Sequence, residues 1–110
     1  MGCGMLPEQC VAARAMALVD QAELAREAGV RKQVIVDFEN GRTLPRDETI
    51  QLIQACLESL GIRFEARPDG SVGVFLTSEG RQARRERVAA RRHGREGSGQ
   101  VGPAAPSDGS

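Results

Sequence analysis

Residues 21–45 read QAELAREAGVRKQVIVDFENGRTLP, and the placing of small, apolar and glycine residues in this run decides the fold. Leu24, Ala25 and Ala28 recur at the interval of one helical face, which predicts a short helix over Gln21–Ala28. Asp20, just before it, carries the short carboxylate that suits an N-cap. Gly29, just after it, reaches left-handed backbone at little cost, so the helix closes there and the chain turns sharply. A second helix is predicted over Arg31–Asn40, with Ile35 and Phe38 on its buried side and Gly41 as its stop. At about 100° per residue, Gln33, Val36, Asp37 and Asn40 share the side away from Ile35 and Phe38, and Lys32 lies on the flank of the first turn.

Working outward, an earlier helix is predicted from about Pro7 to Val19, with proline at the first helical position and Glu8 where the helix dipole favours an acid. Val11, Ala15, Leu18 and Val19 are its expected buried stripe. Beyond a loop through Arg42 and Pro45, the residues Ile50, Ile53, Leu57 and Leu60 mark a fourth helix over Asp47–Leu60, closed by Gly61. The period then changes from helical to extended. Ile62–Ala66 and Val72–Leu76, joined through Pro68, Asp69 and Gly70, predict a two-stranded hairpin that must pack on the helices or pair its edge with another chain. Ser78 to about Arg95 has the propensity for a frayed helix but almost no large apolar residue with which to bury a face, and the segment from Gly94 onward has linker composition. The expected division is a flexible 1–5, a helical domain over 6–61, a hairpin over 62–76 and an Arg-rich, mostly disordered tail over 77–110.

Composition excludes several classes. The 110 residues carry 15 basic and 15 acidic side chains, but unevenly: Met1–Leu76 holds eight bases against eleven acids, and Thr77–Ser110 holds seven arginines against four acids. A basic end of this kind is drawn to polyanions. Cys3, Cys10 and Cys56 are odd in number, form no C-x-x-C pair and share the chain with a single histidine, His93, so neither a disulfide framework nor a zinc site is expected. Cys10 and Cys56 read as small core residues, and a reducing, cytoplasmic setting fits them. No apolar run approaches the length of a membrane span. No His, Ser or carboxylate constellation suggests catalysis, so the chain is expected to be no enzyme and to need no cofactor or metal.

Helix, glycine turn and helix in this spacing form a helix-turn-helix unit. The spelling of residues 21–45 resembles the phage repressor and Cro family, also called the XRE family. The resemblance covers Pro7 to about Leu60 and rests on Gln21, Ala25, Gly29, Ile35, Phe38 and the run Glu39-Asn40-Gly41. The hairpin spelled GIRFEARPDGSVGVFL is similar to one found in a bacterial subclass of these regulators. The implied fold is mainly α: a four-helix Cro/repressor-like domain followed by a β-hairpin and a disordered tail. The implied function is sequence-specific binding of double-stranded DNA.

The residue chemistry agrees with that implication. A small side chain at Ala25 lets two helices cross closely, and Gly29 supplies the turn, so together they set the angle of the second helix of the unit. That helix fits a major groove about 12 Å wide. Gln33 can pair with adenine, Arg31 or Lys32 can reach guanine or a phosphate, and Val36 offers apolar contact to a thymine methyl. Asp37 can accept from cytosine N4, bond to Gln33 and orient it, or stand as a solvated acid. The resemblance places Gln21 and Asn40 on the phosphate backbone, and Arg42 is assigned with them. It also implies an ion pair between Arg14 and Glu39, tying the first helix to the end of the third. A single reading helix gives modest affinity, so a homodimer is expected, touching through the fourth helix and the hairpin edge. The arginine-rich tail reads either as a solubilising segment or as a backbone contact. The alternative function is that of an antitoxin or adaptor gripping a partner protein, such as a toxin, through hairpin and tail.

Overall fold

The computed structural model describes residues 4–98, which form α1 (Pro7–Ala17), α2 (Gln21–Ala28), α3 (Lys32–Glu39), α4 (Asp47–Ser59), β1 (Ile62–Ala66), β2 (Val72–Leu76) and α5 (Ser78–Ser98). The fold is mainly helical, with one antiparallel hairpin in which Ile62 faces Leu76, Phe64 faces Val74 and Ala66 faces Val72. Side chains alternate across a strand, so Ile62, Phe64, Val74 and Leu76 share one face, and that face packs on the helical core. Phe38, Leu24, Ile35, Ile53, Leu57 and Cys10 are the largest fully buried side chains, and they come from all four of the first helices.

α1 differs from the expectation in two ways. It ends at Ala17, because Leu18 adopts left-handed backbone (φ 63°) and turns the chain toward Asp20. Its buried side is Gln9, Cys10, Ala13 and Ala17, whereas Val11 and Ala15 face solvent. The stripe follows size rather than hydrophobicity, since Cys10, Ala13 and Ala17 are small enough for α1 to approach its neighbours closely. Gln9 is tolerated inside because its amide is satisfied. The N–H groups donate to the carbonyls of Gly73 (3.0 Å) and Glu65 (3.4 Å), and Oε1 accepts from the backbone N–H of Leu6 (2.8 Å). Met5, expected in a flexible terminus, is buried against this core; Met1–Cys3 lie outside the described residues.

A fifth helix occupies part of the segment expected to be a tail. Thr77 is its N-cap: the hydroxyl accepts from the Gly80 N–H (3.0 Å) and donates to the Gly61 carbonyl (2.8 Å), which also receives the Thr77 N–H (2.9 Å). Gly61 and Gly80 then meet backbone to backbone. A Cβ on Gly61 would lie 2.1 Å from the Gly80 Cα, and one on Gly80 would lie 2.5 Å from the Gly61 oxygen. Farther along, Arg87 donates through Nε (2.9 Å) and Nη2 to the Ala17 carbonyl, and Arg91 donates to the Leu18 carbonyl (3.0 Å) and to Glu23 Oε1 (2.7 Å). These carbonyls close α1, where the helix dipole is negative and cations are favoured. The helix therefore docks by guanidinium groups and not by an apolar face, a mode that hydrophobic periodicity does not register. The remainder of the expected tail, 99–110, lies outside the described residues.

Candidate nucleic-acid interface

The unit that presents α3 is built from local rules. Asp20 caps α2 by accepting from the Glu23 N–H (2.8 Å), and Glu23 returns a bond to the Asp20 N–H (3.0 Å), so two otherwise orphaned donors are satisfied. At the other end Gly29 is left-handed (φ 77°), and its N–H and that of Val30 both reach the Ala25 carbonyl at 2.9 and 3.0 Å. Ala25 is buried, so α2 and α3 pack with no large side chain between them at that point. Ile35 (0 % exposed) and Phe38 (1 %) anchor α3 from beneath.

The opposite side of α3 is open. Arg31, Lys32 and Gln33 are exposed, while Val36 and Asp37 are half-buried on the same side. Arg31 is the N-cap and Asn40 the C-cap, so the helix proper is one residue shorter at each end than its expected span. Gln33 Nε2 donates to Asp37 Oδ1 (3.0 Å), one helical turn away. Arg42 Nη1 stands 4.0 Å from the same oxygen. The backbone N–H of Arg42 donates to the Asp37 carbonyl (2.8 Å), seating the α3–α4 loop against the open side.

Behind α3 is a charged cluster that sequence reasoning identified only in part. Arg14 grips Glu39 with two parallel bonds, Nε to Oε2 (2.7 Å) and Nη2 to Oε1 (2.8 Å), and the Glu39 side chain is only 3 % exposed. Gln21 Nε2 also donates to Glu39 Oε1 (2.9 Å), and the Cys10 thiol donates to Oε2 (3.0 Å). One carboxylate thus ties α1, α2 and α3 together. Burial pushes the Glu39 carboxyl up, but the bonds from Arg14, Cys10 and Gln21 and the Arg14 charge outweigh it, so its pKa lies below the ordinary value. The bond to Glu39 raises Arg14 against an opposing burial effect. Burial first, then the bond to Glu39 and its negative charge, keep the Cys10 thiol protonated. Gln21, assigned to phosphate, has one amide hydrogen committed to Glu39 and the other uncommitted among the described residues. Cys10 carried no signal in sequence beyond its burial.

Two further features were missed. Thr43, Leu44 and Arg46 line a shallow groove with Gln33 and Asp37, and Leu44 is 81 % exposed. The basic residues Arg42 and Arg46 flanking that loop were the available signal. Arg91, from α5, joins the first turn of α2 through Glu23. Among the described residues no cluster of His, Cys, Asp and Glu is placed to hold a metal ion, and no helix is long and apolar enough to cross a membrane.

Residues 12–62, from the middle of α1 to the start of β1, match the model of a protein family described as helix-turn-helix. No curated protein matches the chain.

Proposed function

Since residues 12–62 belong to the XRE family of helix-turn-helix proteins, whose members are DNA-binding transcription regulators, we propose that this chain recognises a specific operator in double-stranded DNA as a homodimer, reading bases with α3. The observation that carries the reading is the two-sided character of α3: Ile35 and Phe38 are sealed in the core, the exposed Gln33 stands opposite and the exposed Lys32 stands on the flank. Held by Asp37, Gln33 keeps its carbonyl oxygen and one N–H for a base edge, the pair of groups that matches adenine N6 and N7. Arg31 and Lys32 reach guanine or phosphate, and Val36 meets a thymine methyl. Gln21, Asn40 and Arg42 bind backbone phosphates and set the register. The Glu39 cluster keeps α3 at its angle, because moving α3 would break bonds to α1 and α2 together.

Dimerisation follows from the need for two half-sites about 34 Å apart. Leu52 on α4 is 52 % exposed, and Phe75 on the outer hairpin face is 37 % exposed with the Arg63 guanidinium 4.6 Å from its ring centre. These surfaces support contact between two copies through α4 and the hairpin.

The test is selection of bound duplexes from random DNA, followed by binding of the Lys32→Ala/Gln33→Ala variant to the selected site. A two-fold-related motif should emerge. The variant should keep its circular dichroism and lose about 1–3 kcal/mol for each base pair no longer read, roughly 5- to 150-fold in affinity per pair. Failure of the wild type to enrich any sequence, or an unchanged affinity in the variant, overturns the reading.

A further inference from the structure

We infer that α5 is a second DNA-contacting element, a rigid basic arm that carries guanidinium groups to backbone phosphates beside those met by the start of α2. The inference rests on the proposed DNA binding and adds to it a surface outside the family-matched residues.

Its first support is the way α5 divides its arginines. Arg87 and Arg91 are committed to docking. Arg81, Arg84, Arg85 and Arg92 have, among the described residues, no carboxylate within ion-pair distance. At about 100° per residue, Arg81, Arg85, Val88 and Arg92 form one stripe with Arg84 at its edge, while Glu79 and Glu86 fall on the other side of the helix. Arg81, Arg85 and Arg92 are exposed, and Arg84 turns with Arg81 and Arg85 toward a hollow between Met16 and Leu76. Such a one-signed stripe on a chain of zero net charge concentrates attraction for a polyanion.

The second support is direction. α4 begins next to the Arg42–Arg46 loop beside α3 and ends at Ser59, away from it; α5 starts there, against Gly61. From that remote end it returns to the α1–α2 junction, where Arg91 meets Glu23 in the first turn of α2. It then continues from Arg91 to Ser98, a further seven residues or roughly 10 Å of helix. The arm thus passes the start of α2 at Arg91, where backbone N–H groups suit a phosphate. Arg91 also neutralises Glu23, one of two acids that would otherwise oppose a phosphate at that end. Docking at Gly61, Ala17 and Leu18 fixes the arm before DNA arrives, so little ordering entropy is lost on contact.

The experiment measures affinity against salt for the full chain, using a 30-base-pair duplex selected by the wild type and a random-sequence duplex of equal length. Arg85→Gln/Arg92→Gln alters two exposed residues that the docking does not use. Each lost phosphate contact flattens the slope of log affinity against log salt by about 0.9, so the double variant should lose about 1.8 on both duplexes and keep its ratio of selected to random binding. Arg85→Lys/Arg92→Lys should restore the slope, because the effect is one of charge. Wild-type slope in the glutamine variant overturns the arm and leaves the reading helix standing. A wild type that binds no duplex removes both proposals, and loss of the selected-to-random ratio alone, at constant slope, shows α5 acting on α3 and overturns the arm.

Discussion

α3 and α5 are both helices with basic exposed residues, yet they are held in opposite ways. α3 is seated by two large apolar side chains, Ile35 and Phe38, with a bidentate ion pair at its end. α5 is seated by a glycine–glycine contact and by guanidinium groups on the carbonyls that close α1. Apolar burial is non-directional and tolerates small shifts, whereas hydrogen bonds to carbonyls hold only at one distance and angle. The first arrangement should therefore melt with the domain, and the second should open on its own.

Breaking the α3 side has the largest expected effect. Glu39→Ala leaves Arg14 largely buried without its partner and removes the acceptor for Cys10 and Gln21, so a loss of roughly 3–5 kcal/mol is expected in chemical denaturation. An unchanged midpoint would mean that the cluster contributes nothing net. Phe38→Ala should cost a similar amount, about 3–5 kcal/mol, by opening a core cavity.

On the α5 side, Gly80→Val places atoms where the Gly61 carbonyl now lies, and the helix must lift. Amide exchange should then quicken across 78–92 while Leu24, Ile35 and Phe38 stay protected; uniform quickening would show that the two helices are one cooperative unit. Arg87→Ala should act in the same direction more weakly, by about 1–3 kcal/mol of local opening, since it removes the charged donor to Ala17.

The smallest effects are those of pH, and they arise in the helical domain around α3. Glu39 is held below its ordinary pKa of 4.5, so its stabilisation is complete above that value and is lost as pH falls through the lower folded value. Cys10 is raised above 9.0, so its contribution is intact below pH 9 and is lost as the unfolded thiol ionises above it. Cys56, raised by burial and then by Glu27, adds to the same alkaline limb. A thermal midpoint flat between about pH 5 and 9 and falling on both sides is expected, and Cys10→Ala should shorten the alkaline fall. A Cys10→Ala profile that coincides with wild type would remove Cys10 from this account.

The same contrast explains what could be read from sequence. α2, the Gly29 turn, α3, α4 and the hairpin were legible from apolar period and punctuation: Asp20 and Gly29 bound α2, Ile35 with Phe38 mark α3, and Ile50 with Ile53 and Leu57 mark α4. The open side of α3 followed from its buried side. α1 was misjudged in its facing because a stripe of Cys10, Ala13 and Ala17 with a satisfied Gln9 is less hydrophobic than the exposed Val11 side. α5 was illegible as a docked element because its partners are main-chain oxygens, which any sequence supplies. Its start was signalled all the same, by Thr77 as a cap with Glu79 in the first turn.

The meeting of Gly61 with Gly80 has an evolutionary consequence. Neither position can gain a side chain while the other keeps its place, so the two are free to drift only in concert or after the helix has moved elsewhere. A glycine closing the fourth helix, paired with another nineteen positions downstream just past a Thr-Ser-Glu start, is thus a spelling by which other chains bearing the same appended arm can be picked out from text alone.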